Sequence, residues 1–500
     1  MDKKQEGTNK TAKIMKDFLV LGLGMVAHIL VGLITTPVIT RLVDTADYGN
    51  YSLFSTYTEL AMVVITLGLN QSLVRFFYQM EDLHYRRCLL FTCWRVPFFV
   101  CLGLGAVVLL AECACRLLPD MASPLRFFGF GTAIPLLFVL CVTALLFHRF
   151  VVLVLRLQYR SVLYSVLNVV QKLSFVGLAL LFIFLWRKGS DFLLLSAAVT
   201  LSFWLVALLG ILMERKLWNP TVPKDYKLPF PVSELYRYGT PMILSAAGLH
   251  LLQACGSTTL KLFHPDGSAV GIYSSAMNLV HLFALIQTTF NTIWMPLMVE
   301  HYEKNKEDKR FFQKANQAIT VVLFLFGATM LVCKDIFVLL LGEKYREASY
   351  VLPFLMFYPI LYTISETTQC GIVFMKKSHM HICVSLAALA VDVVACVLLV
   401  PSLGAVGAAM ATAATYIVFY AARTFIGRRY YPVDFKVGRL AVVTGLFTLL
   451  CLYGSFHSFD LWLLVGYLLF CGVLLVLYRS IIANLIAFGK KYILKRFHKS

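Results

Sequence analysis

Five charged side chains stand out because they lie inside long apolar stretches. Glu59, Lys172 and Asp392 fall near the middle of such stretches, and Arg95 and Glu366 fall nearer one end. If the stretches cross a bilayer, each charge costs about 3 kcal/mol on insertion scales, so it must pair or serve a function. A lysine in that position can hold an anion, and an aspartate can carry a proton or a sodium ion. A structural ion pair is the alternative for both, and Arg95 can also reach the membrane surface.

Polar residues line up on single faces of two of these stretches. Two sets of four share the spacing i, i+3, i+10 and i+14, which places each set on one face of a helix. The sets are Thr56, Glu59, Thr66 and Asn70, and Asn278, His281, Thr288 and Thr292. Each member of the second set follows its counterpart by 222 positions. Such a stripe either lines a cavity for polar cargo or forms hydrogen bonds between helices.

Two further stretches carry polar candidates that are open to the same two interpretations. The candidates are His28, Gly32 and Thr36 in one stretch, and His250, Gln253 and Ser257 in the other.

The composition indicates the kind of element that must hold these residues. Of 500 residues, 59% are hydrophobic and 14% are charged, which leaves a soluble chain no place to bury its apolar surface. Apolar runs recur along the whole length, and about 20 helical residues suffice to cross the hydrocarbon. The run after the lysine-rich N-terminus is too long for a signal peptide, so we expect it to stay as the first membrane helix. The 13 cysteines are scattered without Cys-x-x-Cys spacing, which predicts neither a metal site nor a disulfide framework.

The apolar runs predict an all-α polytopic membrane protein with about fourteen transmembrane helices, numbered here as spans 1 to 14. Their predicted bounds are 17–40, 50–70, 89–112, 127–153, 163–186, 191–213, 239–261, 270–296, 316–341, 350–374, 381–400, 404–425, 437–456 and 460–480. Only a few residues separate span 5 from span 6 and span 11 from span 12. We therefore expect two tight helical hairpins.

The basic residues predict the orientation of the chain. With a cytoplasmic N-terminus, 34 of the 45 Lys and Arg residues fall in inner segments and 9 in outer loops, while Arg95 and Lys172 lie within spans. Positive residues favour the cytoplasmic side, so we expect both termini there. The net charge of +19 then reflects topology and does not indicate a nucleic-acid partner.

A repeated motif and a linker predict two lobes. Gly-x-Tyr-Ser occurs at Gly49 and again at Gly271, 222 positions later, each time near the start of a span. A proline-rich, charged stretch separates spans 6 and 7, which favours two parallel six-helix repeats. The predicted domains are an N-terminal lobe (1–214), a cytoplasmic linker (215–238), a C-terminal lobe (239–428), spans 13 and 14 (429–480) and a basic amphipathic cytoplasmic tail (481–500).

Five motifs lie at the ends of these spans. They occupy 41–49 after span 1, 236–241 at the entry to span 7, 271–274 in span 8, 341–345 before span 10, and 399–409 between spans 11 and 12. The last reads Leu-Val-Pro-Ser-Leu-Gly-Ala-Val-Gly-Ala-Ala, in which proline ends a helix and glycine permits a turn. Together they resemble the polysaccharide, or lipid-linked oligosaccharide, flippases of the multidrug/oligosaccharidyl-lipid/polysaccharide exporter (MOP, MATE-like) superfamily. The chain departs from that family at 256–259, where an Asp-Arg pair is common, and at Asp392, where Asn is common.

The resemblance implies that spans 1, 2, 7 and 8 line a central cavity between the lobes. It also implies a function, which is to move an undecaprenyl-diphosphate-linked oligosaccharide from the inner to the outer leaflet for surface polysaccharide biosynthesis, by alternating access. The substrate-binding candidates are Arg41, Glu59, Asn70, Arg95, Lys172, His250, Gln253, Asn278, His281 and Thr292. The ion-coupling candidates are Asp392 and Glu366. In this interpretation Lys172 holds the diphosphate and Asp392 carries the coupling ion, or the two form a pair across the cavity. Spans 13 and 14 are expected to line a groove for the lipid tail.

The sequence contains no Walker loop, zinc-ligand spacing or large outer loop with an acid or base, so we expect no catalytic residue, cofactor or metal. A lipid II flippase and a multidrug or cation antiporter of the same superfamily remain alternatives. A membrane glycan polymerase or ligase is a further alternative, although it would need a large outer catalytic loop. The expected partners are the lipid-linked substrate, membrane lipids and other glycan-assembly membrane proteins. The expected location is the bacterial cytoplasmic (inner) membrane.

Overall fold

The computed structural model describes residues 30–32, 34–117, 134–186, 189–221, 228–281, 283–377 and 379–483. Every regular element in these ranges is helical. Eight of the described helices are long and apolar enough to cross a membrane, or nine if one bent pair counts as a single span. The all-α, multi-pass membrane class predicted from the sequence is therefore confirmed. The chain packs into two compact units, unit 1 (Met1–Gly271) and unit 2 (Ile272–Ser500).

Unit 1 is built from helices α1 to α8. Their bounds are α1 Leu30–Leu42 (residue 33 excepted), α2 Thr45–Ile65, α3 Leu69–Phe76, α4 Leu83–Leu117, α5 Ile134–Leu157, α6 Ser161–Leu185, α7 Asp191–Met213 and α8 Val232–Phe263. The predicted span 191–213 coincides with α7. Helix α8 corresponds to span 7, yet it packs within unit 1, so the unit boundary lies about one span later in the chain than the predicted lobe boundary. The lobe boundaries themselves stay a prediction.

Helix α9 (Ser268–Val280) contains the boundary between the units, and the remaining helices belong to unit 2. Their bounds are α10 Phe283–Lys304, α11 Lys309–Val332, α12 Lys334–Val338, α13 Ala348–Leu355, α14 Phe357–Thr368, α15 Cys370–Phe374, α16 Met380–Tyr430, α17 Val437–Gly454 and α18 Leu461–Leu477. A short 3₁₀ helix covers Glu343–Tyr345. Although α16 is continuous by hydrogen bonding, Gly404 (φ 53°, ψ −130°) breaks it sharply after Pro401. Spans 11 and 12 are the two halves of this kinked element.

Span 2 is bent, which the sequence did not predict. It consists of α2 and α3, whose axes differ by 59°. Leu67 (φ 47°) and Gly68 (φ 69°) form the break in left-handed conformations, and a Cβ on Gly68 would meet the backbone of Gly239 in α8. The expected polar stripe from Thr56 to Asn70 is therefore wrong as a single face, because Asn70 lies on α3 beyond the bend. Span 8 is interrupted too, since α9 ends one residue before His281.

The two copies of Gly-x-Tyr-Ser pack against each other at their glycines. A Cβ on Gly49 would lie 2.6 Å from the backbone nitrogen of Gly271, and a Cβ on Gly271 would lie 2.8 Å from the carbonyl carbon of Thr45. No real Cβ tolerates contacts this short, so only glycine fits either position. The motif thus fixes how closely the chain approaches the start of α2. Glu59 lies ten residues after Gly49 on α2.

Candidate functional site

Unit 1 brings four ionisable side chains together from four helices. Glu59 of α2 forms an ion pair with Arg149 of α5. Lys172 of α6 and His250 of α8 lie close enough to the Glu59 carboxylate to interact with it electrostatically, and His250 also interacts with the Arg149 guanidinium. We call these four residues the charged cluster. Two basic side chains, Arg149 and Lys172, face one carboxylate, so the cluster holds more basic than acidic groups.

Aromatic and hydroxyl contacts of α2 hold the cluster helices in place. The ring of Tyr51 stacks on that of Phe175 in α6, with centroids 5.6 Å apart. Two turns further on, the hydroxyls of Tyr57 and Thr258 in α8 are 3.0 Å apart and share a hydrogen bond. These contacts lie close to Glu59 along α2, so they tie α6 and α8 to the helix that carries the carboxylate.

A second set of contacts positions α5. The indole of Trp94 in α4 packs 4.9 Å from the ring of Phe147 in α5, and the indole of Trp218 lies 6.4 Å from the same ring. These residues belong to the large buried core of unit 1. Since Phe147 is two positions before Arg149, this packing helps to hold α5 where the Arg149 guanidinium reaches Glu59.

The ion pair of the charged cluster is open to its surroundings. The side chain of Glu59 is 37% exposed and that of Arg149 is 34% exposed. Such a half-exposed pair contributes only about 0–1 kcal/mol to stability. The geometry therefore suits a site whose charges can exchange partners with a bound anion.

Unit 2 contains an ion pair of a different kind. Arg423 Nη1 donates hydrogen bonds to Glu366 Oε1 at 2.7 Å and to Ser365 Oγ at 2.8 Å, and both charged side chains are 7% exposed. The Gln369 amide donates to the other carboxylate oxygen of Glu366 at 2.6 Å and accepts a bond from Arg423. The guanidinium also lies over the ring of Tyr362 at 5.7 Å. Glu366 thus sits in a sealed, neutral network, which favours a structural role over the predicted ion coupling.

Asp392 is buried in a smaller polar group on the two halves of α16. It is 2% exposed, and its Oδ1 accepts a hydrogen bond from Thr415 Oγ1 at 2.9 Å. The thiol of Cys396 lies 3.9 Å from the same oxygen. The bond from Thr415 crosses the hairpin around Gly404, so it links the predicted ion-coupling residue to the second half of the helix. The predicted pairing of Asp392 with Lys172 stays a prediction; Lys172 has Glu59 as an electrostatic partner within its own unit.

Several predicted substrate-binding residues lie apart from the charged cluster. Arg41 is exposed at the end of α1, and Gln253 is exposed on α8. Arg95 is exposed on α4, where its guanidinium lies 5.7 Å from the ring centre of Phe99 one turn away. This placement suits an arginine that reaches for the membrane surface.

The remaining candidates belong to interrupted spans. Asn70 is half-buried on α3, Asn278 is half-buried on α9, and His281 is exposed in the turn after α9. The side chain of Thr292 lies outside the described residues. Of the ten substrate-binding candidates, the structure brings Glu59, Lys172 and His250 together.

Two arginines that pair with predicted carboxylates escaped the sequence analysis. Arg149 was assigned to an inner loop because span 4 was ended at residue 153, whereas α5 continues to Leu157. Arg423 was treated as an end charge because span 12 was ended at residue 425, whereas α16 continues to Tyr430. In both cases an apolar criterion ended the helix too early. The available signal was a carboxylate inside a span, which requires a cation from another helix.

Comparison with known proteins places this fold. A sequence model of the family described as polysaccharide biosynthesis protein matches residues 14–302, more than half of the chain. A comparison with curated proteins finds no match. The fold is similar to that of the lipid II flippase MurJ in an inward closed conformation, with a TM-score of 0.62 and 11% identity over 94% of this chain and 100% of that chain.

The fold is also similar to MATE transporters of the MOP superfamily. An inward-facing multidrug resistance transporter gives a TM-score of 0.56 at 14% identity, covering 80% of this chain and 94% of that chain. An outward-facing one gives 0.52 at 15% identity, covering 83% and 95%. The chain therefore belongs to the polysaccharide biosynthesis protein family and has the fold that MurJ shares with MATE transporters of the MOP superfamily.

Proposed function

We propose that the protein is a flippase that moves an undecaprenyl-diphosphate-linked oligosaccharide from the inner to the outer leaflet for surface polysaccharide biosynthesis. The observation that carries the proposal is the charged cluster, in which two half-buried basic side chains on membrane helices, Arg149 and Lys172, face one carboxylate in a protein of this family. Basic side chains inside a membrane span are costly, and a bound anionic group stabilises them. A diphosphate linking a sugar chain to a lipid supplies such a group.

In this mechanism, Arg149 and Lys172 bind the diphosphate and Glu59 competes with it. A guanidinium can donate two parallel hydrogen bonds to phosphate oxygens, and an ammonium acts as a compact charge beside it. In the absence of cargo, Arg149 is held by the Glu59 carboxylate. When the diphosphate takes over the guanidinium, Glu59 loses its partner. The same competition then helps to release the cargo on the other side of the membrane.

A groove in unit 2 supports a lipid cargo. The groove has a volume of about 430 Å³ and lies between α14, the second half of α16, and α17. Apolar side chains such as Leu361, Ile417 and Leu440 line it, and Arg428 lies at the end of α16. We propose that this groove receives part of a lipid tail. Spans 13 and 14 were predicted to line a groove for the lipid tail, and span 13, which corresponds to α17, lines this one.

We propose Asp392, rather than Glu366, as the residue that carries a coupling proton or sodium ion. Asp392 is buried and bonded to a neutral hydroxyl, whereas Glu366 is neutralised by Arg423. Replacing Asp392 with Asn should abolish the dependence of transport on a proton or sodium gradient. If transport by D392N still responds to the gradient that drives the wild type, Asp392 is not the residue of the coupling step.

Lipid II transport is the second candidate, and the similarity to MurJ over 94% of this chain favours it over a drug antiporter, since the two MATE structures described above cover 80% and 83%. Both lipid cargoes carry a diphosphate, so the charged cluster serves either one. We further propose that the protein lies in the bacterial cytoplasmic membrane with both termini inside, and that it works beside other glycan-assembly membrane proteins.

Transport in reconstituted vesicles tests the function. Fluorescently labelled undecaprenyl-diphosphate oligosaccharide and labelled lipid II would each be incorporated into proteoliposomes, and the fraction accessible to a membrane-impermeant quencher would be followed. We expect the oligosaccharide lipid to equilibrate between leaflets faster with the wild type than with R149Q/K172Q. Equal rates for wild type, double variant and empty vesicles would contradict a flippase function. Faster movement of lipid II alone would favour the second candidate.

A further inference from the structure

Unit 1 has a polar pocket that is separate from the charged cluster. The pocket has a volume of about 410 Å³ and lies between the end of α3, the start of α4 and the turn that joins α5 to α6. Its polar lining comprises Tyr78, Glu81, Arg86, Gln158, Tyr159 and Arg160. We call it the turn pocket. Arg149 lies eight residues before Leu157 on α5, which separates them by about 12 Å along the helix axis, so the two sites do not share side chains.

The walls of the turn pocket are held by internal bonds. The Tyr78 hydroxyl donates to the carbonyl of Leu157 at 2.7 Å, which fixes the end of α3 against the turn. Burial raises the pKa of Tyr78 to about 12, so this donor stays protonated at neutral pH. Arg160 forms an ion pair with the buried Glu214, and burial raises the pKa of that carboxyl while the guanidinium opposes the rise. Arg160 is therefore largely committed to the protein.

Arg86 is the cation that the pocket leaves available. Its guanidinium lies 4.9 Å from the centre of the Phe77 ring, and no carboxylate forms an ion pair with it among the described residues. Its Nε is buried without a hydrogen-bond partner in the part of the chain that the structure describes, and so is Oε1 of Gln158. Leaving a buried donor or acceptor unsatisfied is costly, so a ligand that reaches these groups gains binding energy. Both side chains line the pocket.

The donor of Arg86 and the acceptor of Gln158 together define the ligand. A guanidinium prefers phosphate oxygens, and an amide oxygen accepts a hydrogen bond from a hydroxyl group. We propose that the turn pocket binds a phosphate ester that also carries a hydroxyl, with Arg86 on the phosphate and Gln158 on the hydroxyl. The headgroup of an anionic phospholipid such as phosphatidylglycerol has this chemistry, and so does free glycerol phosphate.

The surroundings of the pocket suit a lipid headgroup at the membrane surface. The neighbouring residue Arg87 donates a hydrogen bond to the carbonyl of Lys216 at 2.7 Å, which places this end of α4 beside the linker after α7. The proposed topology puts that linker on the cytoplasmic side, where anionic lipids attract basic residues. Glu81 also lines the pocket and weakens anion binding. The site is therefore expected to bind with modest affinity.

Binding to the purified full-length protein in nanodiscs of phosphatidylcholine tests the proposal. The protein would be titrated with dihexanoyl phosphatidylglycerol, with dihexanoyl phosphatidylcholine and with glycerol 3-phosphate, and each affinity measured by calorimetry. R86Q should weaken phosphatidylglycerol binding about tenfold, because one charge-assisted hydrogen bond is lost. E81Q should strengthen it about threefold, because a like charge is removed. R87Q is the matched control, since it removes the adjacent arginine from outside the pocket, and it should leave the affinity unchanged.

The outcomes separate the two sources of the phosphate ester. Binding of phosphatidylglycerol without glycerol 3-phosphate supports a lipid headgroup, and binding of both with the same dependence on Arg86 supports a free ester. Equal affinities for R86Q and R87Q would overturn the proposal, as would phosphatidylglycerol and glycerol 3-phosphate binding no better than phosphatidylcholine. If R86Q does not fold, E81Q decides, because its affinity should rise if the pocket binds an anion and stay constant if it does not.

Discussion

The two glutamate–arginine pairs of this protein differ in exposure and in surroundings. Glu59 and Arg149 in unit 1 are each about one-third exposed and have an additional lysine and histidine beside them. Glu366 and Arg423 in unit 2 are each 7% exposed, and they form further hydrogen bonds with Ser365 and Gln369. The first pair is accessible and has further basic side chains beside it, whereas the second is sealed among its own hydrogen-bond partners.

This difference distinguishes charged residues with a structural role in a membrane helix from those that are available to bind a ligand. A charge at mid-span has to be neutralised, and Arg423 does this completely for Glu366. In the charged cluster, two basic side chains, Arg149 and Lys172, share the one Glu59 carboxylate. Where basic side chains are accessible and outnumber the carboxylate beside them, an anionic cargo can bind to them. We therefore propose a structural role for Glu366 and cargo binding by Arg149 and Lys172.

The largest expected effect is the loss of stability when the sealed pair is broken. R423Q leaves the Glu366 carboxylate buried without its cation, and breaking such a pair costs about 3–5 kcal/mol. Thermal unfolding of the purified protein should show a strong drop for R423Q and a partial recovery for E366Q/R423Q. R149Q is the matched variant in unit 1 and should cost at most about 1 kcal/mol. Similar losses of thermal stability for R423Q and R149Q would contradict the distinction between the sealed and the accessible ion pair.

The next effect is on transport. R149Q should slow flipping of the oligosaccharide lipid about tenfold to a hundredfold, because a charge-assisted hydrogen bond to a phosphate contributes about 1.5–3 kcal/mol. R156Q is the control, since Arg156 is an exposed arginine on the same helix outside the charged cluster. The rate should be measured by the quenching of labelled lipid in proteoliposomes. A control variant that slows as much as R149Q would show that the effect is not specific to the cluster.

Removing the competing carboxylate of Glu59 should have the opposite effect on cargo binding to removing Arg149. E59Q frees Arg149 from its ion pair, so the diphosphate lipid should bind several times more tightly, corresponding to about 1 kcal/mol. Release should slow correspondingly. Equilibrium binding and the transport rate, measured on the same preparation, report these two changes. Weaker binding by E59Q would mean that Glu59 orients the cations rather than competes for them.

The smallest expected effect concerns the anchoring of the charged cluster. Y57F removes the hydrogen bond between the Tyr57 hydroxyl and Thr258 while keeping the ring, which should cost about 0.5 kcal/mol. Transport should fall by no more than about twofold, since the Tyr57 ring stays in place and α2 still packs against α8. Thermal unfolding and the proteoliposome assay check both values. A loss as large as that of R149Q would show that Tyr57 contacts the cargo.

Apolar runs and the positions of their charges gave most of the fold from the sequence, because a bilayer imposes a length and a polarity on each span. The predicted span 191–213 coincides with α7, and the hairpin at Gly404 was anticipated from the proline and glycine around it. The bend at Leu67 and Gly68 was not, since it depends on the close approach of Gly239 from α8. Tertiary contacts of this kind leave no local pattern.

The candidate site was predicted in part for the same reason. Glu59, Lys172 and His250 were recognised because a polar group at mid-span is conspicuous in an apolar run. Arg149 was missed because it lies near the end of an apolar run, where a charge is ordinary. Arg95 shows the converse, since a charge inside a span turned out to be exposed and to lie over Phe99. Depth can be predicted from sequence, but the partner of a charge depends on which helices pack together.

Direct binding of the diphosphate group tests the central claim most closely. Undecaprenyl diphosphate would be titrated into nanodiscs containing the wild type or R149Q/K172Q, with R156Q as the control and undecaprenol as the uncharged ligand. We predict that the double variant binds undecaprenyl diphosphate at least about a hundredfold more weakly, corresponding to two lost charge-assisted contacts, while undecaprenol binding is unchanged. Equal affinity of the wild type and the double variant for undecaprenyl diphosphate would contradict the account.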